Sequence, residues 1–299
     1  MVVLRKRKMG RSEFYYLVHS VKVNGRVQKK EKYLGKCMPK NLEKLKTYFL
    51  NELYQEMWGG KLDAIKKNFA NAFSAMPKSA REKYIDQFMI KFTYDTNRIE
   101  GSRLTFQETA SLLEDKITPP NKPLKDVKEA EAHKEVFYKM LEHKGDLNLE
   151  LVLYWHKLLF ENSKPDIAGK IRTYQVEISG SKFVPPFPAE LNTLLREFFG
   201  WYRREKTKLH PVMLAALAHL KFVSMHPFGD GNGRISRVIM NFVLHKYDYP
   251  MLNIAYVNRS GYYNALERSQ IKEDEHFFVH HIVKRYLKEY KKYTTKLLL

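Results

Sequence analysis

The 299-residue chain is 44% hydrophobic and 13% aromatic, which suits a packed core and excludes wholesale disorder. No apolar run approaches the ~18 residues of a membrane span, no apolar stretch of a secretory signal follows the basic N-terminus, and the single cysteine, Cys37, excludes an internal disulfide or a cysteine metal cage. These features predict a cytoplasmic protein with no membrane partner, and a formal charge of +20 predicts polyanionic partners.

Residues 1–40 differ from the rest, with twelve Lys and Arg against two Glu. A β-rich run over 14–23, the turn pair Asn24-Gly25 and a return over 27–34 predict a small N-terminal β-hairpin appendage. A two-stranded ribbon alone is marginal, so it needs a helix or another strand to cover it. Its basic and aromatic residues suit nucleic acid; a homodimer contact or a solvated accessory hairpin are the alternatives.

Linking helices fill 41–77. Asn41 is placed to cap a helix over 42–58 that stops at Gly59-Gly60, and a second helical piece over 62–75 ends at Met76-Pro77. A third helix spans about 78–101. Tyr84, Phe88 and Phe92 recur every four residues, Thr96 and Glu100 continue the stripe, and Gly101 ends it. Glu100 therefore points inward from a helix C-terminus, where the dipole disfavours an anion. It needs a cation, and Arg98 and Arg103 are the nearest in sequence. Thr105-Phe-Gln-Glu108 predicts a capping box.

Two more helices are predicted over 125–144 and 147–160. Residues 174–178 and 182–184, around Ser179-Gly180-Ser181, then predict a hairpin flap closed by Pro185-Pro186. Its open edge suits an extended peptide. A helix over 189–204 precedes 212–225, which is apolar almost all round and so reads as a buried central helix. An amphipathic helix over 234–246, a helix from Tyr262, a last helix over 275–292 and a basic tail at 294–299 complete the chain. The fold class is mainly α.

Between the buried and the amphipathic helix lies His226-Pro-Phe-Gly-Asp-Gly-Asn-Gly-Arg-Ile-Ser-Arg237. Gly231, Asn232 and Gly233 fall at a helix N-terminus, whose free N–H groups attract anions. Arg234 and Arg237, one turn apart, suit phosphate, and Asp230 suits Mg²⁺ bridging phosphates. His226 is the only group in the loop with an ordinary pKa near neutrality, hence the natural general base. These parts describe transfer of a nucleotide's phosphorus group to a hydroxyl.

This stretch matches His-x-Phe-x-Asp/Glu-Gly-Asn-Gly-Arg-x-x-Arg at every specified position. The chain resembles the Fic (Fic/Doc) family of protein adenylyltransferases over roughly residues 80–290, within a domain set at 78–293. Thr96-Asn-Arg-Ile-Glu100-Gly101 is similar to the family's inhibitory motif, in the class with an N-terminal inhibitory helix. The resemblance implies a Fic-type helical core, ATP as substrate, Mg²⁺ as cofactor and AMP transfer to a Ser, Thr or Tyr hydroxyl of a target protein or of the chain itself. It implies that His226 is the base, that Asp230 holds Mg²⁺ and that Gly231, Asn232, Gly233 and Arg234 cradle the α- and β-phosphates. Arg237 would take the γ-phosphate or pair with Glu100, which displaces Arg98 and Arg103 as its expected partner. Tyr262, Tyr263 and Gln270 would flank the nucleoside, and Tyr174, Val176 and Ile178 of the flap would dock the target. In some relatives the same glutamate serves removal of AMP, so that direction stays open.

Overall fold

The computed structural model describes residues 2–23 and 26–295. The Asn24-Gly25 turn and residues 296–299 of the basic tail lie outside the described residues. The N-terminal appendage is a three-stranded antiparallel sheet in the order β1 (Val3–Met9), β2 (Ser12–Val23), β3 (Arg26–Gly35), not a two-stranded hairpin. Four consecutive basic residues, Arg5 to Lys8, fill the middle of the extra strand β1, so no apolar alternation marks it in the sequence. Its register places Leu4 opposite Leu17, which is fully buried.

The linking helices also differ from expectation. Helix α1 (Leu42–Tyr54) runs through a π turn (Gln55–Gly59) directly into α2 (Gly60–Ser74). Two glycines inside a helix cost about 1 kcal/mol each. Leu53, Tyr54, Leu62 and Ile65 are buried on either side of them, and each large apolar side chain returns about 1.5–3 kcal/mol. Burial outweighs propensity, and the helix continues.

Helix α3 (Lys78–Ile99) ends at Glu100, and Gly101 follows at φ +96° as the expected left-handed stop. Helices α4 (Phe106–Glu114), α5 (Leu124–Glu142), α6 (Leu149–Phe160) and α7 (Leu191–Glu205) lead to the centre. The capping box at Thr105 and Glu108 is present. Helices α8 (Pro211–Met225) and α9 (Asn232–Lys246) pack on each other as the central pair. Leu214, Ala216, Leu217 and Ala218 of α8 are fully buried, as the all-round apolar pattern requires. Helices α3, α5 and α6 lie against α9, and α7 and α11 (His276–Glu289) against α8, with α10 (Arg259–Ile271) packed on α11. Among the described residues no helix is long and apolar enough to cross a membrane.

Residues 173–186 form no strand ladder, which corrects the expected β-hairpin flap. Pro185 and Pro186 lack the N–H groups a ladder needs. The buried Arg172 does the joining instead, donating to the carbonyls of Tyr174 (2.8 Å) and Pro186 (2.6 Å), while Gln175 reaches Pro185 O at 3.0 Å. The flap is therefore an extended loop clamped at its base by one guanidinium.

Candidate active site

Helix α8 delivers His226 at its C-cap in the left-handed conformation, φ 49° and ψ 53°. Such a conformation costs a non-glycine residue about 1–2 kcal/mol, so the surroundings must hold it. Arg172 Nε does so, donating to His226 O at 2.8 Å. On the imidazole, Nδ1 lies 3.3 Å from Val223 O. A carbonyl only accepts, so Nδ1 carries the proton and Nε2 keeps its lone pair. Burial pushes the His226 pKa down, opposed by the Val223 carbonyl and reinforced by the charge of Arg172. The ring is neutral at pH 7, as a general base must be.

The loop after His226 is tied to itself. Asn232 Oδ1 accepts from Phe228 N at 2.9 Å, and its Nδ2 donates to Phe228 O at 2.8 Å. The Phe228 ring stacks on His156 with centroids 3.7 Å apart. The Asn232 side chain is thus committed to the loop, and only its backbone N–H is left for an anion. Gly231 sits at φ +80° with the Phe160 ring where a Cβ would be. A Gly231→Ala protein meets both the left-handed penalty and this clash. It should lose about 1–3 kcal/mol of stability, read as a lowered midpoint in thermal unfolding.

Asn232, Gly233 and Arg234 open α9, where backbone N–H groups have no helical partner. The Glu100 carboxylate lies over this end, at the place a Cβ on Gly233 would take. It accepts from Arg237 Nη2 at 2.6 Å. Arg237 is 1% exposed and also donates from Nε to Thr96 Oγ1 at 2.5 Å. Arg98, the nearer cation in sequence, instead donates to Ser102 O at 2.6 Å. Tyr262 is buried behind this pair, with its hydroxyl 3.4 Å from Arg237 Nη1 and 3.0 Å from His219 Nε2. Burial pushes the Tyr262 phenol up to about 12, so it stays neutral.

Asp230 faces cations on two sides. Its carboxylate pairs with Lys164 and, at 3.1 Å, with Arg234 Nη2. Burial raises the Asp230 carboxyl, but Arg234, Lys164 and the Gly231 N–H outweigh that and bring it down to about 2. Arg234 itself is 2% exposed, pairs with Glu129 and lies over the Phe160 ring at 4.7 Å. Its guanidinium stands behind the cleft wall, between Glu129 and the cleft residue Asp230.

Glu100, Ile178, Asp230, Gly231, Asn232, Gly233, His226, Arg237, Tyr262, Tyr263 and Gln270 share one cleft of about 720 Å³. Among the residues expected at the site, Thr96, Arg234, Tyr174 and Val176 do not line it. Tyr174 is 52% exposed with its hydroxyl against Gly229, where a Cβ would stand, Tyr263 donates to Ile99 O at 3.1 Å, and Gln270 donates to Ser224 Oγ at 3.1 Å. Glu267 of α10 pins the flap tip, accepting from Lys182 N at 2.7 Å and Ser181 Oγ at 3.0 Å. Arg172, Lys164, Glu129 and Glu267 were not expected at the site. Each acts through a partner 54 to 105 positions away in sequence, and no local spacing signals such a pair.

The Fic/DOC family matches residues 146–244, which include the loop and leave out Glu100, Tyr262 and Gln270. A protein adenylyltransferase Fic of Nematostella vectensis is 30% identical over 226 residues, covering 74% of this chain and 52% of that protein. The chain thus spans about half the length of this relative. A Fic domain containing signaling protein of Bacteroides thetaiotaomicron superposes with a TM-score of 0.67 at 26% identity, over 77% of this chain and 92% of that one. Fic-1 of C. elegans shares the fold, with a TM-score of 0.69 at 24% identity over 85% of this chain and 77% of that chain. The chain belongs to the Fic/DOC family.

Proposed function

We propose that the chain transfers AMP from ATP to a hydroxyl side chain of a protein, and that Glu100 restrains it. The relatives named protein adenylyltransferases support the reaction class. One observation carries the reading: a neutral His226 opens onto the same cleft as the N-terminus of α9 and Arg237. A base thus stands beside a built anion site.

In this mechanism His226 Nε2 takes the proton of the target hydroxyl. The freed oxygen attacks the α-phosphorus, the bond to the β-phosphate oxygen breaks, and pyrophosphate leaves. The N–H groups at the start of α9 and the Arg237 guanidinium hold the phosphates. The ionised Asp230 on the cleft wall fits Mg²⁺, which binds through one or two carboxylates together with phosphates and needs no protein cage. Bound there, the ion supplies charge neutralisation at the phosphates. Lys164 and Arg234 keep the carboxylate ionised in the meantime. The extended flap, with Tyr174, Val176 and Ile178, is the surface for the target segment. Tyr263 and Gln270 are the residues for the nucleoside.

Glu100 works against this arrangement. Paired with Arg237, it takes the cation that the γ-phosphate needs and sets a carboxylate beside it. The same carboxylate, in one cleft with His226, could instead orient a water for removing AMP. Incubation with ATP and Mg²⁺ followed by intact-mass and peptide mass spectrometry tests the transfer reading. The expected result is one adenylyl group on a Ser, Thr or Tyr, more in Glu100→Gly than in the parent. No adduct in either protein, on itself or on an added proteome, removes it. Release of AMP from a modified protein that depends on Glu100 would establish the reverse direction.

A further inference from the structure

The N-terminal sheet has two chemically different faces. Leu4, Leu17 and Leu34 turn to the core, and Lys30 and Lys32 on the same side pair with Glu56 and Glu52 beyond β3. The other face carries a row of rings, with Phe14 and Tyr16 half-buried, Tyr33 exposed and Val18 buried beside them. The register sets Arg5 opposite Tyr16, Tyr16 opposite Tyr33 and Arg7 opposite Phe14. Tyr16 and Tyr33 have centroids 5.3 Å apart, and Phe14 and Tyr33 6.2 Å. Tyr33 is 53% exposed.

Cations surround these rings. The Arg7 guanidinium lies 4.7 Å from the Tyr16 centroid and the Lys36 ammonium 5.9 Å from that of Phe14. Arg7 is balanced by Glu31 at 2.5 Å. Arg5, Lys29 and Lys36 are exposed and, among the described residues, have no carboxylate within ion-pair distance.

The partner must satisfy rings and unpaired cations together. An apolar protein surface would strand Arg5, Lys29 and Lys36 without water or counter-charge. An acidic peptide would answer the charge and offer nothing planar to the rings. A duplex answers the charge but keeps its base faces stacked inside. An unpaired strand offers both phosphates and free base faces, and aromatic rings beside basic side chains are the usual platform for it. We propose that this face binds single-stranded nucleic acid, with a base stacked on Tyr33 and phosphates held by Arg5, Lys29 and Lys36. The surface is separate from the adenylyl-transfer site and does not depend on that reading.

The test is fluorescence anisotropy of the full chain with a labelled oligothymidylate of about twenty nucleotides, titrated at several salt concentrations. Three phosphate contacts predict a slope of log K against log salt of about −2. Tyr33→Ala should weaken binding by about tenfold through the loss of one stacked base. A protein with both Arg5→Ala and Lys29→Ala should weaken it further and flatten the slope to about −0.7. All three side chains stand on an exposed face, and unchanged thermal unfolding would show that the sheet is intact. Affinity unmoved by these changes, or a matched duplex held as tightly as the single strand, overturns the proposal. No binding at ~50 mM salt overturns it as well and leaves the face to a protein partner.

Discussion

AMP transfer should fall by about 100- to 10,000-fold when His226 is replaced by alanine, the range a positioned general base contributes. The ring makes one weak contact, to Val223 O at 3.3 Å, so its removal leaves little unpaired. The backbone is the weaker point, because alanine at φ 49° pays the left-handed penalty. His226→Asn is the matched variant, since asparagine tolerates that conformation and is no base at neutral pH. Both should still bind ATP and melt near the parent temperature. A His226→Asn protein with the parent's transfer rate would remove His226 from the chemistry. The pH profile gives a second readout. The base works only when unprotonated, and burial holds its pKa in the folded chain below that of an ordinary histidine. The rate should therefore rise with pH through that lowered value and already be flat at pH 7. An acid limb centred above pH 7 contradicts a neutral His226.

Glu100→Gly should raise self-modification with labelled ATP by about 5- to 150-fold. That is the factor expected if the carboxylate biases the site by ~1–3 kcal/mol against productive ATP, the usual size of a coupling free energy within one protein. The substitution removes the 2.6 Å partner of Arg237 and clears the start of α9. Arg237 keeps Thr96 and Tyr262 as partners, so the buried guanidinium is not abandoned. Glu100→Gln is the sharper variant, because it keeps the shape and loses the charge. It should fall between the parent and Glu100→Gly. Equal activity in all three proteins would mean that the ion pair is structural and restrains nothing.

The parts of this site that are local in sequence were legible. The four-residue stripe from Tyr84 to Glu100 turned Glu100 away from the outer surface of α3, and its carboxylate lies on the cleft wall against Arg237. The glycines around Asn232 marked a helix start, and α9 begins there. Pairings across the fold were not legible. Spacing offered Arg98 and Arg103 to Glu100, and only the family resemblance pointed to Arg237, 137 residues away. Arg234 was expected to grip phosphate, because a helical stripe places it beside Arg237. In the structure its guanidinium lies between Glu129, brought in by α5, and Asp230. The flap failed for a different reason. Alternation and a Gly turn predicted strands, but the two prolines left the return arm without donors, and Arg172 substitutes for the ladder. Strand β1 was missed because its neighbours in the sheet, not its own pattern, make it a strand.

Helix α3 is held along its inner side. Thr93 Oγ1 is 2.8 Å from His133 Nδ1 of α5, and Asp95 accepts from Tyr256 N at 2.7 Å and Asn253 Nδ2 at 2.5 Å. These bonds fasten α3 to two other parts of the core, so moving the helix would break them. Glu100 can then leave Arg237 only by turning about its own side-chain bonds. Such turns take picoseconds to nanoseconds, against turnovers of about 1–1,000 per second. On the proposed reading, the restraint is no slow gate. What governs output is then the fraction of time that the carboxylate and the triphosphate each spend on one guanidinium.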